Sequence, residues 1–351
     1  MSLRQLPQSA DDLDDPWASQ ALGTSVRVVN RESVGLGTAF ACRLFRLTLD
    51  GSPDTPSSVL VKMPIEGDTR AMLDGIGTYS REIEFYRELA PHLPVRTPKI
   101  YSAEQATDST DFVLVMEDLG GECIQIDQHE GFSRQQAEAI TGAVARFHGW
   151  SWDKEQLLQR YSAKFWPTSS GEGRTLQQQY GQLFTYVWGL RRDALVELLP
   201  PSAVWISDRF AELQPQMLDA LATPTCITHG ELRSDNLLFD KNGEPVFIDF
   251  QTVGQECGIR ELQYLLCTSM RPQRLAGIED ALIQRYCSGV ANYEPRQARE
   301  QYRWATAYNL LWPIMANVRW EASDQRGRDR LDDMVRRLGA AIERHSSAEL
   351  F

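Results

Sequence analysis

The stretch that decides the fold is CITHGELRSDNLLFDKNGEPVFIDFQ, residues 226–251. It places one carboxylate, Glu231, five residues before Asn236, and a second carboxylate, Asp249, inside a later apolar run. A carboxylate, an Asn and an Asp in this order recur in phosphoryl transfer, where the first accepts the proton of the attacking hydroxyl. The other two are hard oxygen donors, which suit Mg²⁺ bound to nucleotide phosphates. The pattern therefore predicts Glu231 as a catalytic residue and Asn236 and Asp249 as metal ligands.

The residues around this carboxylate fit the same chemistry. Arg233 lies two positions further on, where a cation can stabilise charge on a transferring phosphoryl group. We expect Asp235 to stabilise the loop and His229 to brace the turn. The β-type runs NLLFD and PVFID are separated by KNGE, whose Asn-Gly pair predicts a short hairpin.

The chain changes character along its length. From Ser25 to about Gly120 it consists of short β-type runs, which include FACRLFRLTL and SSVLVKMP, interrupted by one helix from about Asp74 or Ser80 to Leu89. After Gly120 and Gly121 long helical periods follow, and the first of them has a capping-box pattern at Ser133 and Gln136.

This division predicts an α+β fold in two parts. Residues 1–120 would form a nucleotide-binding lobe with an antiparallel sheet and one helix, and residues 121–351 a larger helical lobe with the catalytic loop and the acceptor site. The acidic N-terminus and the Ser/Gly-rich segment 168–173 are the only stretches that we expect to be loose.

Composition excludes several classes of protein. A net charge of −12 without a basic run makes nucleic acid an unlikely partner, and the six cysteines show no metal-ligand spacing. No apolar run approaches the roughly 20 residues of a membrane span. We expect a cytoplasmic protein that binds a small-molecule alcohol and no membrane, and the sequence leaves its oligomeric state open.

HGELRSDNLLF followed by VFIDFQ resembles the aminoglycoside phosphotransferase and choline kinase superfamily, and most closely its ecdysteroid-kinase-like branch. The resemblance implies a bilobal protein-kinase-like fold that uses ATP and Mg²⁺. It makes Lys62 the lysine that contacts the α- and β-phosphates, and Glu82 its partner on the helix. The segment VLVMEDL would hold adenine through its backbone, which makes Glu117 and Leu119 cofactor-binding residues.

These N-terminal positions have simpler explanations as well. Lys62 could be a strand-edge lysine, and Glu82 shares its helix with other charged residues, which is typical of a solvated face. The VGLGT segment contains Gly35 and Gly37 but no complete phosphate-binding motif, and a hairpin turn explains it almost as well.

Two positions depart from the pattern of the families resembled. Those families have Asp where this chain has Glu231, and Asp again where it has Glu261, which is expected to anchor the backbone of the catalytic loop. Each change keeps the carboxylate and adds about 1.5 Å of reach. An active enzyme with a reshaped loop is the interpretation we prefer, and a catalytically impaired nucleotide-binding protein is the alternative.

The acceptor is expected to bind in the helical lobe. Trp304, Tyr308 and Trp312 recur every four residues, which predicts an aromatic helix face that either packs in the core or lines the acceptor site. The stretch 301–320 contains no Asp or Glu, whereas a polycationic aminoglycoside needs several carboxylates. The preferred acceptor is therefore a largely apolar alcohol of steroid, terpenoid or polyketide type. Acids in the loops around 153–180 leave an aminoglycoside possible, and the aromatic residues leave choline possible.

Overall fold

The computed structural model describes the chain except for residues 1–5, 35–41, 76, 108, 110, 166, 169–170 and 321–323. Gly35 and Gly37 therefore lie outside the described residues. The chain forms two compact units, Met1–Ile124 with Val246–Thr252, and Gln125–Pro245 with Val253–Phe351. Asp249 thus belongs to the first unit, and Glu231 and Asn236 to the second.

The first unit is built on an antiparallel sheet of five strands in the order β1-β2-β3-β5-β4. Its elements in chain order are α1 (Asp15–Leu22), β1 (Val26–Val34), β2 (Cys42–Gly51), β3 (Ser58–Pro64), α2 (Asp68–Gly75), α3 (Thr78–Glu84), β4 (Ile100–Gln105) and β5 (Phe112–Glu117). The predicted antiparallel sheet is confirmed. The predicted helix is α3, which continues as a π-helical turn to Leu89, while α2 is an additional helix.

The acidic N-terminus is an ordered part of this unit, and our expectation that it is loose was wrong. Asp14 caps α1 by accepting a hydrogen bond from the backbone N–H of Trp17 (2.9 Å), a typical N-cap contact. Leu13, Trp17 and Ala21 are buried in one cluster with the sheet residue Val61. The acidic residue Asp14 therefore stabilises helix α1 as its N-cap, and α1 covers the apolar face of the sheet.

The second unit is mainly helical. Its helices are α4 (Arg134–Ser151), α5 (Glu155–Tyr161), α6 (Gly171–Val196), α7 (Pro201–Asp208), α8 (Phe210–Ala220), α9 (Gly258–Ser269), α10 (Pro272–Ala276), α11 (Glu279–Ser288), α12 (Pro295–Tyr308), α13 (Leu311–Ala316) and α14 (Gln325–Arg344). The predicted capping box is confirmed, because the Ser133 hydroxyl and the Gln136 side chain exchange hydrogen bonds with each other's backbone N–H groups.

The predicted catalytic segment, residues 226–251, is flanked and crossed by short strands. They are β6 (Ile124–Gln125), β7 (Cys226–Thr228), β8 (Leu237–Phe239), β9 (Pro245–Phe247) and β10 (Gly254–Glu256). In the sequence, β6 and β9 each include a point where one unit ends and the other begins. The turn between β8 and β9 has Gly243 at φ 79°, as the Asn-Gly signal predicts. β7 pairs antiparallel with β10, and α9, which is buried along its whole length, packs against β7.

The C-terminal end of α14 is fixed by a buried carboxylate on α11. Glu279 accepts hydrogen bonds from Arg344 Nε (2.9 Å) and from the hydroxyl of Tyr302 (2.7 Å), and His345 Nε2 lies 3.0 Å from it. Burial opposes ionisation of Glu279, but hydrogen bonds from His345 and Arg344 outweigh it and lower its pKa to about 2. The ionised carboxylate therefore stabilises the folded state.

We expect Glu279→Gln to lower the free energy of unfolding by about 3 kcal/mol at pH 7, the size that a pKa lowering of this extent implies. A lowered pKa stabilises the fold above the ordinary pKa, and this stability is lost as the pH falls towards 2. Urea unfolding of both proteins between pH 7 and pH 3 should show the difference shrinking below about pH 4.5. A difference that is independent of pH would contradict this explanation.

No helix within the described part of the chain is long and apolar enough to cross a bilayer.

Candidate active site

Lys62 lies near the end of β3 in the first unit and makes two ion pairs. Its ammonium group is 2.7 Å from the carboxylate of Glu82 on α3 and 2.6 Å from Oδ1 of Asp249. Lys62 and Glu82 are buried, whereas the side chain of Asp249 is 30 % exposed. The structure therefore brings together three of the predicted residues, Lys62, Glu82 and Asp249. Lys62 points inward, so the alternative that it is a lysine at a strand edge does not hold.

The charges of this cluster depend on one another. Burial opposes protonation of Lys62, but Asp249 and Glu82 outweigh it and hold its pKa well above the usual value. Burial raises the pKa of Glu82, with a contribution from the charge of Asp249, because two carboxylates share one ammonium group. The lysine therefore keeps its charge.

Asp249 is held by its backbone and by the residue that follows it. Its φ of 68° lies in the left-handed region, which is uncommon for residues other than glycine. Phe250 stacks on Phe85 of the π-helical turn with ring centroids 3.7 Å apart, and meets the ring edge of Tyr86 at 5.9 Å. The ring stack fixes the backbone from which the Asp249 carboxylate projects towards Lys62.

The segment after β5 was predicted to bind adenine. The N–H of Glu117 donates to the carbonyl of Lys99 (2.8 Å), and its carboxylate accepts from the N–H of Lys99 (3.0 Å). Leu119 is buried and begins a short 3-10 helix, where the first N–H groups have no partner within the helix. The N–H of Glu117 is therefore already engaged within the first unit.

The catalytic loop lies in the second unit, directly after β7. The side chain of Glu231 is 34 % exposed, and Nη2 of Arg233 lies 3.3 Å from its Oε1. The other end of the same guanidinium contacts Oδ2 of Asp235 at 3.1 Å. Arg233 thus lies between two carboxylates, and the predicted base faces outward beside a cation.

Asn236 is oriented by the loop itself. Its Nδ2 donates to the main-chain carbonyl of Glu231 (2.8 Å), so its amide oxygen points away from that contact. Gly230, with φ 89°, makes the turn before Glu231, a conformation that a side chain would strain. An oxygen donor held in this way fits a ligand for Mg²⁺.

The base of the loop is fixed by Glu261 on α9. Its Oε1 accepts the backbone N–H of Gly230 (2.6 Å), and its Oε2 accepts the N–H of His229 (3.0 Å) and a hydrogen bond from Nε2 of His148 (2.9 Å). Glu261 is buried. It therefore anchors the catalytic loop through backbone contacts, as expected from the resemblance.

His148 on α4 completes this anchor. Although burial opposes ionisation of Glu261, the hydrogen bond and the charge of His148 lower its pKa, so the carboxylate is an acceptor and Nε2 donates. The other ring nitrogen of His148 is 2.8 Å from the hydroxyl of Tyr286. A Cβ atom at Gly258 would come within 2.7 Å of that nitrogen, so the contact requires glycine there.

Comparison with known proteins identifies the family. The Ecdysteroid kinase-like family model matches residues 37–295, which is most of the chain. The chain belongs to the ecdysteroid kinase-like family. It is accordingly a phosphotransferase with an alcohol group as acceptor, in a family of small-molecule kinases. No curated protein matches the sequence.

Solved structures show the fold that this ecdysteroid kinase-like chain shares with other phosphotransferases. A protein of Ralstonia eutropha assigned as an aminoglycoside phosphotransferase is 16 % identical, with TM-score 0.59 and coverage of 97 % of this chain and 99 % of that one. An ethanolamine kinase of Plasmodium vivax is 14 % identical (TM-score 0.55, 90 % and 83 %). APH(2'')-IIIa in complex with GDP and kanamycin is 13 % identical (TM-score 0.55, 90 % and 94 %). The likeness confirms the α+β, protein-kinase-like architecture.

The predicted aromatic face of this ecdysteroid kinase-like protein is not a single surface. Helix α12 ends at Tyr308, so Trp312 lies on α13. Tyr308 is buried and packs against Phe210, while Trp304 packs edge-on against the C-terminal Phe351 (5.2 Å). The four-residue spacing was misleading because the helix ends within the pattern, although the rings of Tyr308 and Trp312 both lie near the guanidinium of Arg260, at 5.8 and 5.9 Å.

Sequence reasoning missed Arg330 of α14, which reaches the catalytic loop. Its Nη1 lies 3.1 Å from Oδ2 of Asp235, the oxygen that also contacts Arg233. Tyr264 of α9 is buried close to the same charged groups, and burial raises its pKa. A basic residue on a distant amphipathic helix gives no local signal of such a contact.

The described residues contain no cluster of three or more His, Cys, Asp or Glu side chains that could hold a metal ion. The side chains of Asn236 and Asp249 each carry oxygen atoms of the kind that Mg²⁺ prefers as ligands.

Proposed function

We propose that this protein is an ATP-dependent kinase that transfers the γ-phosphate to a hydroxyl group of a largely apolar alcohol of steroid, terpenoid or polyketide type. One observation carries the proposal. The partly exposed carboxylate of Glu231 lies beside the guanidinium of Arg233, on a loop whose backbone is held by the buried Glu261. This arrangement combines a proton acceptor with a cation for the transferring group.

The nucleotide would be held mainly by the first unit. We assign the phosphate contact to Lys62, with Glu82 fixing its position, and the adenine contact to the backbone at Glu117 and Leu119. Structural neighbours have been solved with GDP or ADP, which supports a nucleotide as the phosphoryl donor. Asn236 and Asp249 would hold Mg²⁺, whose charge would offset that of the phosphates.

The chemical step needs little from the protein beyond position and charge. The acceptor oxygen forms a bond to the γ-phosphorus while the bond from that phosphorus to the bridging oxygen breaks, which leaves ADP. Glu231 takes the proton of the hydroxyl. Arg233, 3.3 Å from Glu231, stabilises charge on the transferring group and keeps the base oriented.

Acidic side chains line a cleft next to β7. Asp153 and Glu155 border a cleft of about 440 Å³, together with Thr225 and Gln255. Thr225 directly precedes β7, whereas the catalytic loop directly follows it. An amino sugar held by these carboxylates would have to span the length of β7, about 10 Å, to reach Glu231.

ATP-dependent phosphorylation of a panel of alcohols tests the proposal. We expect transfer to hydroxylated steroids or terpenoids, with kcat/KM at least about tenfold above that for kanamycin, ethanolamine or choline. Product is measured as phosphorylated alcohol, and Glu231→Gln is the control for transfer by this site. Preference for a polycation would replace the proposed acceptor with an aminoglycoside. Nucleotide binding without transfer to any alcohol would instead favour the catalytically impaired nucleotide-binding protein.

A further inference from the structure

Arg330 approaches the catalytic loop from helix α14. Its guanidinium contacts the Oδ2 atom of Asp235 at 3.1 Å, and Arg233 contacts the same oxygen at the same distance. The main-chain carbonyl of Asp235 accepts a hydrogen bond from Gln125 (2.7 Å), so Asp235 is fixed from both sides. Two guanidinium groups are therefore held next to each other at the loop that carries Glu231.

Arg330 has hydrogen-bonding capacity that the described residues do not use. Its side chain is only 18 % exposed, and its Nε is buried without a hydrogen-bond partner among the residues that the structure describes. Burial and the charge of Arg233 lower the pKa of Arg330, so placing this cation here is unfavourable. A buried donor without a partner costs about 1–3 kcal/mol, and a rotation of the guanidinium group that brings Nε to a ligand oxygen would remove that cost.

The guanidinium groups beside the base favour a ligand that supplies oxygen atoms. Glu231 and Asp235 balance the charges of Arg233 and Arg330 while the acceptor binds, so hydrogen-bonding capacity rather than net charge distinguishes one acceptor from another. A guanidinium group donates hydrogen bonds and accepts none, so it binds a carboxylate and cannot bind an ammonium group. Arginine binds carboxylates well because its planar group offers several donors in a fixed geometry.

A second unpaired donor lies on the neighbouring helix. Helix α13 packs against α14, and Nε1 of Trp312 on α13 is buried with no partner in the described part of the chain. The guanidinium of Arg260 lies 5.9 Å from the ring of Trp312. Helices α13 and α14 thus each contribute one buried donor without a partner among the described residues, and an acceptor that carries oxygen atoms would suit such donors.

We propose that Arg330 determines acceptor specificity by binding a carboxylate of the acceptor, so that the preferred substrate is an apolar alcohol that also carries a carboxylate. This inference rests on the proposed function. Arg330 would bind the substrate away from the reacting hydroxyl, and so its contribution falls on KM rather than on kcat.

Pairs of a hydroxysteroid carboxylic acid and its methyl ester, and of an ω-hydroxy fatty acid and its methyl ester, test the inference. With the unmodified protein and ATP, we expect kcat/KM for each acid to exceed that for its ester by about 10- to 100-fold, the range of a charge-assisted hydrogen bond. In Arg330→Met this ratio should fall to near one through a rise in KM for the acid. Because the readout is the ratio of kcat/KM for the acid to kcat/KM for the ester, a general loss of activity lowers both values and leaves the ratio unchanged.

Two further variants separate recognition from structure. Arg330→Lys keeps the charge and should recover part of the preference for the acid. Arg326→Met makes the same change one turn earlier on α14, where Arg326 is 79 % exposed and pairs with Asp127, and should keep the full ratio. Equal kcat/KM for acid and ester in the unmodified protein, or an unchanged ratio in Arg330→Met, would overturn the inference.

Binding without ATP distinguishes failure of this inference from failure of the proposed function. A ligand that binds the folded protein raises its unfolding temperature, whether or not transfer follows. If the acid stabilises the unmodified protein but not Arg330→Met, and neither acid is phosphorylated, the carboxylate site stands and the kinase proposal fails. If the acids are phosphorylated no better than their esters, the kinase proposal stands and the carboxylate site fails.

Discussion

Glu261→Leu is expected to lower the free energy of unfolding by about 4 kcal/mol and to reduce kcat about a hundredfold or more. The carboxylate is buried and accepts hydrogen bonds from His148 and from the backbone of His229 and Gly230. Leucine has a similar volume but accepts none of them. Three buried donors would lose their partner, and the loop that carries Glu231 would lose its anchor.

Urea unfolding and steady-state kinetics on the same preparations check this expectation. Glu138→Leu is the matched control, because the side chain of Glu138 on α4 is 43 % exposed and its ion pair with Arg134 contributes little. Its free energy of unfolding should stay within about 0.5 kcal/mol of the unmodified protein. A Glu261→Leu protein that is as stable and active as the control would show that the catalytic loop is positioned by other contacts.

The anchor at Glu261 was predictable from the sequence, but its partner His148 was not. The pattern around 226–251 led to the prediction of roles for Glu231, Asn236 and Asp249, because each local spacing corresponds to one known task in phosphoryl transfer. His148 is distant in sequence from both Glu261 and His229. A histidine on an apolar helix face does not reveal which buried group it will meet.

Short strands and the N-terminus show a second limit of sequence reasoning. β7 and β10 have three residues each, too few to display the alternation by which strands are recognised. At the N-terminus the acidic composition suggested a loose tract, although Leu13 and Trp17 have the spacing of an apolar helix face. The acidic residues beside α1 cap the helix and remain exposed to solvent. An acidic composition is therefore compatible with burial of the apolar residues Leu13 and Trp17 in the core.

Removing the carboxylate of the base is expected to have the second large effect. Glu231→Gln should lower kcat by about 10²- to 10⁴-fold, the contribution of a positioned proton acceptor, with little change in nucleotide binding. Asn236 contacts the main-chain carbonyl of Glu231 and not its side chain, so the substitution leaves the orientation of Asn236 intact. Single-turnover phosphorylation of the acceptor, with nucleotide affinity measured separately, tests both statements. Unchanged kcat would exclude Glu231 as the base.

Replacing Glu231 by Asp tests whether the extra methylene of the glutamate is needed to position its carboxylate. Glu231→Asp withdraws the carboxylate from Arg233, now 3.3 Å away, and we expect a loss of about a hundredfold in kcat. Glu261→Asp shortens the contact that fixes the backbone of the same loop, so the two changes should couple. If the lengths at 231 and 261 compensate each other, the double variant will be more active than the product of the two single effects predicts. If the effects of the two single variants are independent, Glu231 reaches the acceptor hydroxyl through the length of its own side chain, without compensation from the length of Glu261.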